Sequence, residues 1–443
     1  MDILVLDQDI LTIFSLYFLN IVLLLFLFLR GNFVAMIVWP VVIYSIGPLL
    51  SYIFLLNPVL SRYVFPENFL EETEFFSVFL VLMVALDWLF DLDRNIRSSV
   101  LSEHIVRIGS LRLTTFSFYV SGIVCVILQL IVMANYGSLF SGVYVSDASA
   151  GDDAGSQPVS WGLLGGFYEL FFSCTILVFI AQRGGSVFTI ETIFYISVLL
   201  LRLAGGTRLL LIKEMSVLLF ILLAQRKIKP YVVAGVAIFT ILLGTAVGLA
   251  RSNGGANEFG LISSFAYESS LDTLTLNIAD SLSHDSNAYQ FFEPGEQALG
   301  IVESLVPSFI RNLFISLPSS GERPGNEKIN MATRSGFSTE SPAGGMNLFA
   351  STIYLFYNGW VGPLLLPVIF FVLVKVHYSR KIKSFLLMSI LIETLNMWRD
   401  PLEISLKLIV QTIVFYIFLD VDWNLVLRSL AADKSVTAKA RSV

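Results

Sequence analysis

Apolar residues in this chain come in blocks of roughly 16 to 24 positions with few charges inside them, long enough to cross a hydrocarbon layer as helices. Read by apolar length, the blocks predict eleven spans: 10–29, 33–56, 75–90, 114–133, 161–181, 187–203, 209–224, 231–249, 362–378, 384–398 and 402–419. The first eight are joined by fairly short connections, and a long polar stretch, Arg251 to Gly345, precedes the ninth. Met346 to Tyr357 is apolar but too short to span, and Asn358-Gly359 follows it, so it reads as an interfacial or re-entrant helix. Within the polar stretch, Phe259 to Leu282 and Glu296 to Leu305 have helical spacing, whereas Leu317 to Gly345 is rich in Pro, Gly, Ser and Asn.

The expected fold is therefore an all-α polytopic membrane protein of about 11 transmembrane helices with one large external loop. Helices one to eight occupy 1–250 and the loop 251–345; the re-entrant helix and last three spans occupy 346–419, and a tail fills 420–443. The first block follows an acidic Met1 to Asp9 and lacks the basic lead and small-residue cleavage site of a signal peptide, so it is kept as a membrane helix. No internal repeat, low-complexity tract or coiled-coil heptad is visible.

Composition narrows the class. The chain is 56% hydrophobic and 14% charged, against roughly 25% charged in soluble domains. That excludes a soluble enzyme and a disordered chain, and a net charge of −6 offers nucleic acid no basic surface. Both cysteines, Cys125 and Cys174, lie inside apolar blocks, where they make neither a disulfide framework nor a metal site. Of the 28 cations, 17 lie on alternate connections: Arg30; Arg94, Arg97, Arg107 and Arg112; Arg183; Arg226, Lys227 and Lys229; Lys375, Arg380, Lys381 and Lys383; Arg428, Lys434, Lys439 and Arg441. The positive-inside rule makes these segments cytoplasmic, with the N-terminus and the loop outside and the tail inside.

The cations that break the rule carry the chemistry. Arg202, Arg208, Lys213, Arg251, Arg399 and Lys407 all fall at or near outer helix ends, within about 10 Å at 1.5 Å per residue. One account is local: each reaches outward to headgroups or pairs with a neighbour, as Glu403 with Lys407 or Glu214 with Lys213. The other is a cavity open to the outside that holds an anionic group, and guanidinium forks suit phosphate oxygens. The loop has 5 cations and 11 acids, and so holds the whole net −6; its acids crowd the first part, and Arg311, Arg323, Lys328 and Arg334 the second.

Intramembrane acids are Asp87, Glu169, Glu191 and Glu393; Asp87 and Glu191 suit plain helix ends. His104, His284 and His377 have no ligand spacing. Asp91-Leu92-Asp93 and Asp420-Val421-Asp422 match the Asp-x-Asp of metal-dependent sugar transferases, but on the cytoplasmic side they read better as helix-end acids. Asp152-Asp153 sits in a Gly/Ser/Ala loop tip. No metal and no cofactor are expected.

Arg202-Leu-Ala-Gly-Gly-Thr-Arg208 resembles the Arg…Gly-x-Arg signature of the O-antigen and exopolysaccharide repeat-unit polymerases. Gly248-Leu-Ala-Arg251 is similar to the arginine those proteins place before their large external loop. Leu305-Val-Pro-Ser-Phe-Ile with Leu317-Pro318 resembles their Val-Pro-Arg segment, though Ser308 stands in the arginine's place and Arg311 follows three residues later. Gly336-Phe-Ser-Thr-Glu340-Ser-Pro and Tyr354 to Gly362 resemble their passage into the next span, with Ser351, Thr352 and Ile353 where a glutamate is frequent.

The resemblance, over about residues 200 to 365, implies a metal-independent glycosyltransferase of the GT-C kind in the bacterial inner membrane. Donor and acceptor would both be undecaprenyl-diphosphate-linked glycans, with membrane lipid around the protein and a chain-length regulator as a candidate partner. Arg208 and Arg251 would clamp the diphosphate, Arg202 and Arg399 would support them, and Arg311 or Arg334 would close from the loop. The acceptor hydroxyl needs a base within hydrogen-bond reach; Glu340 ranks first and His284 second, ahead of Asp272 and Glu268. The alternatives are an O-antigen ligase, which uses the same donor, and a flippase or exporter of lipid-linked oligosaccharide. Reporter tags at the two ends are expected on opposite sides of the membrane, and a same-side result would break the odd span count.

Overall fold

The computed structural model describes residues 2–44, 66–101, 107–108, 111–112, 119, 122–124, 126–127, 130, 162–183, 189–204, 208–251, 360–376, 380–399 and 402–420. Its helices are α1 (Asp2–Leu29), α2 (Val34–Tyr44), α3 (Pro66–Phe90), α4 (Leu92–Val100), α5 (Gly162–Arg183), α6 (Ile190–Ala204), α7 (Arg208–Ala224), α8 (Pro230–Arg251), α9 (Val361–Lys375), α10 (Arg380–Arg399) and α11 (Leu402–Asp420). Each predicted span falls on one of these where its residues are described; 45–56 lie outside the described residues, as does most of 114–133, whose few described residues are helical. The connection after the third span holds the short amphipathic helix α4 and one departure from the all-α expectation, a two-residue antiparallel pair, β1 (Arg107–Ile108) and β2 (Leu111–Arg112).

Helix α10 sits at the centre, packed against α2, α4, α5, α7 and α11. Every side chain from Leu387 to Trp398 is buried, including Ser389, Glu393, Thr394 and Asn396. The outer faces of the bundle are the reverse. Phe18, Trp88, Ile190, Tyr231 and Phe239 are each more than 60% exposed, and the outward sides of α1, α8 and α9 are lined with Leu, Val, Ile and Phe. By length and composition, Leu11–Leu29 and Thr73–Phe90 can cross a membrane, and Leu170–Gln182, Ile190–Leu201, Pro230–Thr240 and Val361–Lys375 are shorter apolar helices.

One end of the bundle is closed by hydrogen bonds around a tight turn. Helix α1 stops at Gly31, whose φ is +63°; Gly31 N–H donates to the Phe28 carbonyl at 2.8 Å and Asn32 N–H to Leu27 at 3.0 Å, the Schellman pattern of a helix C-terminus. Arg97 of α4 then ties three elements. Its guanidinium donates to the Gly31 carbonyl at 2.7 Å and the Ala224 carbonyl at 2.8 Å, and pairs with Asp93 at 3.3 Å. Asp93 also accepts from Phe33 N–H at 2.7 Å. Burial raises the Asp93 carboxyl above its ordinary range, against the lowering effects of the Phe33 N–H and of Arg97. Asp87 accepts from Asn32 at 2.5 Å and from Asp93 N–H at 2.7 Å. Asp87, Asp91 and Asp93 are thus helix-end acids, and both Asp93 oxygens are engaged within the fold. Ser384 of α10 donates to the Ser99 carbonyl, joining the central helix to this end.

Helix α7 ends in the same pattern, with Arg226 N–H on Leu223 and Lys227 N–H on Leu222. There the left-handed residue is Arg226, at φ +58°, not a glycine. A Cβ on Gly31 would meet Ala224 Cα at 3.3 Å. Gly31→Ala is therefore expected to destabilise the protein by about 1–2 kcal/mol, and Arg226→Gly to stabilise it by up to about 1 kcal/mol, from the cost of left-handed backbone in residues with a Cβ. Thermal unfolding of the purified protein, followed by tryptophan fluorescence, checks both signs.

Candidate functional site

At the other end, α7 carries two consecutive charges, Lys213 and Glu214, about one and a half turns in from Arg208. Successive residues on a helix are turned about 100° from each other, so the two side chains meet different neighbours. Lys213 Nζ lies 2.7 Å from Glu393 Oε1 of α10, with side-chain exposures of 4% and 0%. The other carboxylate oxygen of Glu393 accepts from Asn396 at 2.7 Å and from Ser405 of α11 at 3.4 Å. Glu214 turns the other way and accepts from Ser173 of α5 at 2.6 Å and Tyr195 of α6 at 2.7 Å. Beside Ser173, Cys174 Sγ is 3.3 Å from Ser389 Oγ.

Five helices thus meet in a buried polar cluster. Removing an ion from water costs several kcal/mol even after relaxation, and a pair recovers this only with good geometry and its remaining groups satisfied. Glu393 meets that condition, with both oxygens bonded. Deeper in the bundle, Gln411 and Thr412 of α11 are buried with side-chain polar atoms that have no hydrogen-bond partner among the described residues.

Arg202 lies in the last turn of α6, Arg208 is the first residue of α7, and Arg251 and Arg399 are the last residues of α8 and α10. Because α7 runs antiparallel to both α8 and α10, and α6 leads directly into it, these four positions share one end of the bundle. Lys407 enters α11 at the same end. Glu340, His284, Arg311 and Arg334, with the rest of the large loop, lie outside the described residues.

One expectation from the sequence is corrected. Lys213 does not offer its charge to an external anion, because Glu393 holds it in the interior. Its partner is not Glu214, the neighbour that the sequence offers, but Glu393, 180 residues away on α10. Ser173, Tyr195, Asn396 and Ser405 escaped the sequence reading; ordinary hydroxyls and an amide in apolar blocks carry no motif. The ion pair had a signal. Lys213 is five residues below Arg208 and Glu393 six below Arg399, which gives opposite charges at matching depth. Among the described residues, no group of three or more His, Cys, Asp and Glu side chains is placed to hold a metal ion.

No protein-family model matches the chain, and neither a curated protein nor a solved structure matches it.

The ion pair makes a quantitative prediction. Lys213→Met and Glu393→Gln, made singly, each leave a buried group without its partner and are expected to cost about 3–5 kcal/mol, whereas Lys213→Met with Glu393→Leu should recover most of that loss. Unfolding midpoints of the three variants in detergent provide the measurement; single and double losses that simply add would contradict the coupling.

Proposed function

We propose that this chain is a polytopic enzyme of the bacterial inner membrane that polymerises undecaprenyl-diphosphate-linked oligosaccharide repeat units into O-antigen or a related surface polysaccharide. One arrangement carries the reading: four arginine positions at a common end of the bundle, directly above a buried cluster in which lysine and carboxylates are locked together. The membrane setting is supported by the inverted distribution of side chains. Glu393, Glu214, Lys213 and Asn396 are inside, while large apolar side chains cover the outside. In water that outer surface would be an association hazard, and in lipid it is the proper coat. Trp88 and Tyr231 are exposed at the Gly31 end, where Lys229 lies over the Tyr231 ring, as in the aromatic and basic belt of a membrane interface.

In this reading the reducing-end sugar of the growing glycan is joined to a lipid diphosphate. The acceptor hydroxyl of an incoming lipid-linked unit attacks the anomeric carbon; its C–O bond forms as the bond to the diphosphate oxygen breaks. The diphosphate leaves with extra negative charge, and preorganised cations aimed at it lower the barrier. Arg208 and Arg251 are assigned to that clamp, Arg202 and Arg399 support it, and Arg311 or Arg334 covers it from the loop. The hydroxyl proton passes to a base, for which Glu340 is ranked above His284. Glu393 and Lys213 belong to the frame beneath the clamp: their contact holds α7 and α10 in register, and with them the helix ends that bear Arg208 and Arg399.

Cells lacking the protein should make lipopolysaccharide capped with a single repeat unit, seen as the loss of the long ladder on a gel. A product with no repeat unit at all would favour a ligase that uses the same donor. Arg208→Ala and Arg251→Ala should each insert and accumulate normally yet reduce long-chain product by about 100-fold or more, the effect of removing a charge-stabilising group. Wild-type ladders from both variants would sink the clamp.

A further inference from the structure

Helix α7 also borders an apolar cavity of about 220 Å³ that it shares with α1, α2 and α8. Those three partners place the cavity in the half of the bundle nearest Gly31. Leu24 to Phe28 come from the end of α1, Ala35 to Trp39 from the start of α2, and Val233 to Thr240 from the first part of α8. The space exists because Ala35, Ser216 and Ala237 are small where they face it. Helix α1 packs mainly on α2 and α3, and α8 on α7, so the cavity opens sideways between α1 and α8, past half-exposed Leu25.

This lining suits hydrocarbon. Thr240 donates its hydroxyl to the Val236 carbonyl at 2.8 Å, and Ser216 is the other hydroxyl on the wall. A buried water needs two to four polar partners, whereas apolar cavities stay dry and take up apolar ligands. Depth narrows the choice. Counted from Lys229, the lining residues Val233 to Thr240 lie about 6 to 17 Å along α8 at 1.5 Å per residue. The hydrocarbon of one leaflet is about 15 Å deep, half of a bilayer core. The α8 wall therefore runs alongside the acyl chains of the leaflet at the Gly31 end.

Charge marks the place for a head group. The turn from α7 to α8 carries Arg226, Lys227 and Lys229. The Lys229 carbonyl accepts from Val232 N–H at 3.0 Å and from Val233 N–H at 3.3 Å, so Lys229 stands one helical turn before the first lining residue of α8. Arg226 and Lys229 are exposed, and Lys227 is half-buried. Among the described residues no carboxylate pairs with any of the three. Asp87 and Asp93, acids of the same end, are engaged by Asn32, Phe33 N–H and Arg97. Burial lowers the Lys227 ammonium below the ordinary lysine range, an effect that an anion beside it would offset. Lys229 Nζ lies 5.7 Å from the centre of the exposed Tyr231 ring, the pairing of cation and ring found at headgroup level.

We infer that this cleft and the turn beside it bind one anionic glycerophospholipid of the surrounding leaflet, with an acyl chain in the cavity and the phosphate facing Arg226, Lys227 and Lys229. The site rests on the membrane setting proposed above and on nothing in the glycan chemistry. Trp39, on the cavity wall, is the reporter. The full-length protein is placed in phosphatidylcholine nanodiscs with a small fraction of lipid whose acyl chains are brominated and quench tryptophan on contact; Trp39→Phe gives the background of the other tryptophans. Brominated phosphatidylglycerol should quench the Trp39 component at about one-tenth the mole fraction that brominated phosphatidylcholine requires. Arg226→Gln, Lys227→Gln and Lys229→Gln together should erase that preference. Arg94→Gln, Lys375→Gln and Lys383→Gln together remove three charges from helices that do not wall the cavity and should preserve it. Ala237→Phe, which fills the space, should reduce quenching by both lipids.

Equal quenching by the two lipids in the wild type overturns the proposal. So does an equal loss of preference in the two triple variants, which would show attraction to the whole surface and not to this turn. Undiminished quenching in a monodisperse Ala237→Phe variant removes the acyl-chain site. Equal quenching removes the lipid site alone, because the ladder of cells lacking the protein decides the polymerase separately. A chain that stays soluble and monodisperse without detergent would remove the membrane setting, and this site with it.

Discussion

Lys213 and Glu393 meet at 2.7 Å in a place that neither can leave for water. An apolar pair of the same volume would hold two helices together at least as well, since an ion pair in low dielectric first has to offset the desolvation of both charges. What charges add is register. Leucine against leucine tolerates a slide of a turn; a buried ammonium that loses its carboxylate does not. Helix α7 is therefore pinned to α10 at one level, and the pin is reinforced from two more directions. Asn396 and Ser405 occupy the remaining oxygen of Glu393, and Ser173 with Tyr195 hold Glu214 from α5 and α6. Everything placed at that end of the bundle, the arginine-bearing helix ends included, inherits its position from this contact.

The opposite end is held by different means. Arg97 is about one-third exposed and works through carbonyls at helix ends, those of Gly31 and Ala224, which would otherwise lack partners. Such a clamp tolerates water, so it suits a surface, whereas the Lys213 pair suits an interior. Between the two, the packing is apolar and ring-rich, with Phe33 edge-on to Phe220 and Phe385 stacked on Tyr416. Helix α7 runs from one polar knot to the other: Lys213 near its start belongs to the first, and the Ala224 carbonyl at its end to the second.

Helix positions were largely legible, because apolar length is a property of consecutive residues. The role of α10 was not. Its first residues are Arg380, Lys381 and Lys383, and it carries Ser, Glu, Thr and Asn further on, so by hydropathy it ranks low among the helices; the structure nonetheless buries every side chain from Leu387 to Trp398. In a bundle with an apolar exterior, polarity marks the inside, the opposite of the rule that applies in water. In the Asp91-Leu92-Asp93 motif, Phe33 N–H and Arg97 engage Asp93, contacts that the sequence did not announce. The left-handed turn at Arg226 had no signal, since nothing in an arginine announces positive φ. The partner of Lys213 could have been found from depth alone, but local sequence points first to Glu214, its neighbour in the chain.

Helix α7 is apolar on nearly every side, and a helix of that kind has to be covered on every side. Two of its faces are covered by protein through specific contacts: α10 at Lys213, and α5 with α6 at Glu214. The third faces α8 across an apolar cavity of about 220 Å³, a cleft that Ser216 and Ala237 are too small to close. A helix so firmly fixed on two sides does not relax toward the third, because moving α7 to fill the cleft would drag Lys213 away from Glu393. Helix α7 is thus fixed by charge and hydroxyl contacts on two faces and by apolar packing on the third.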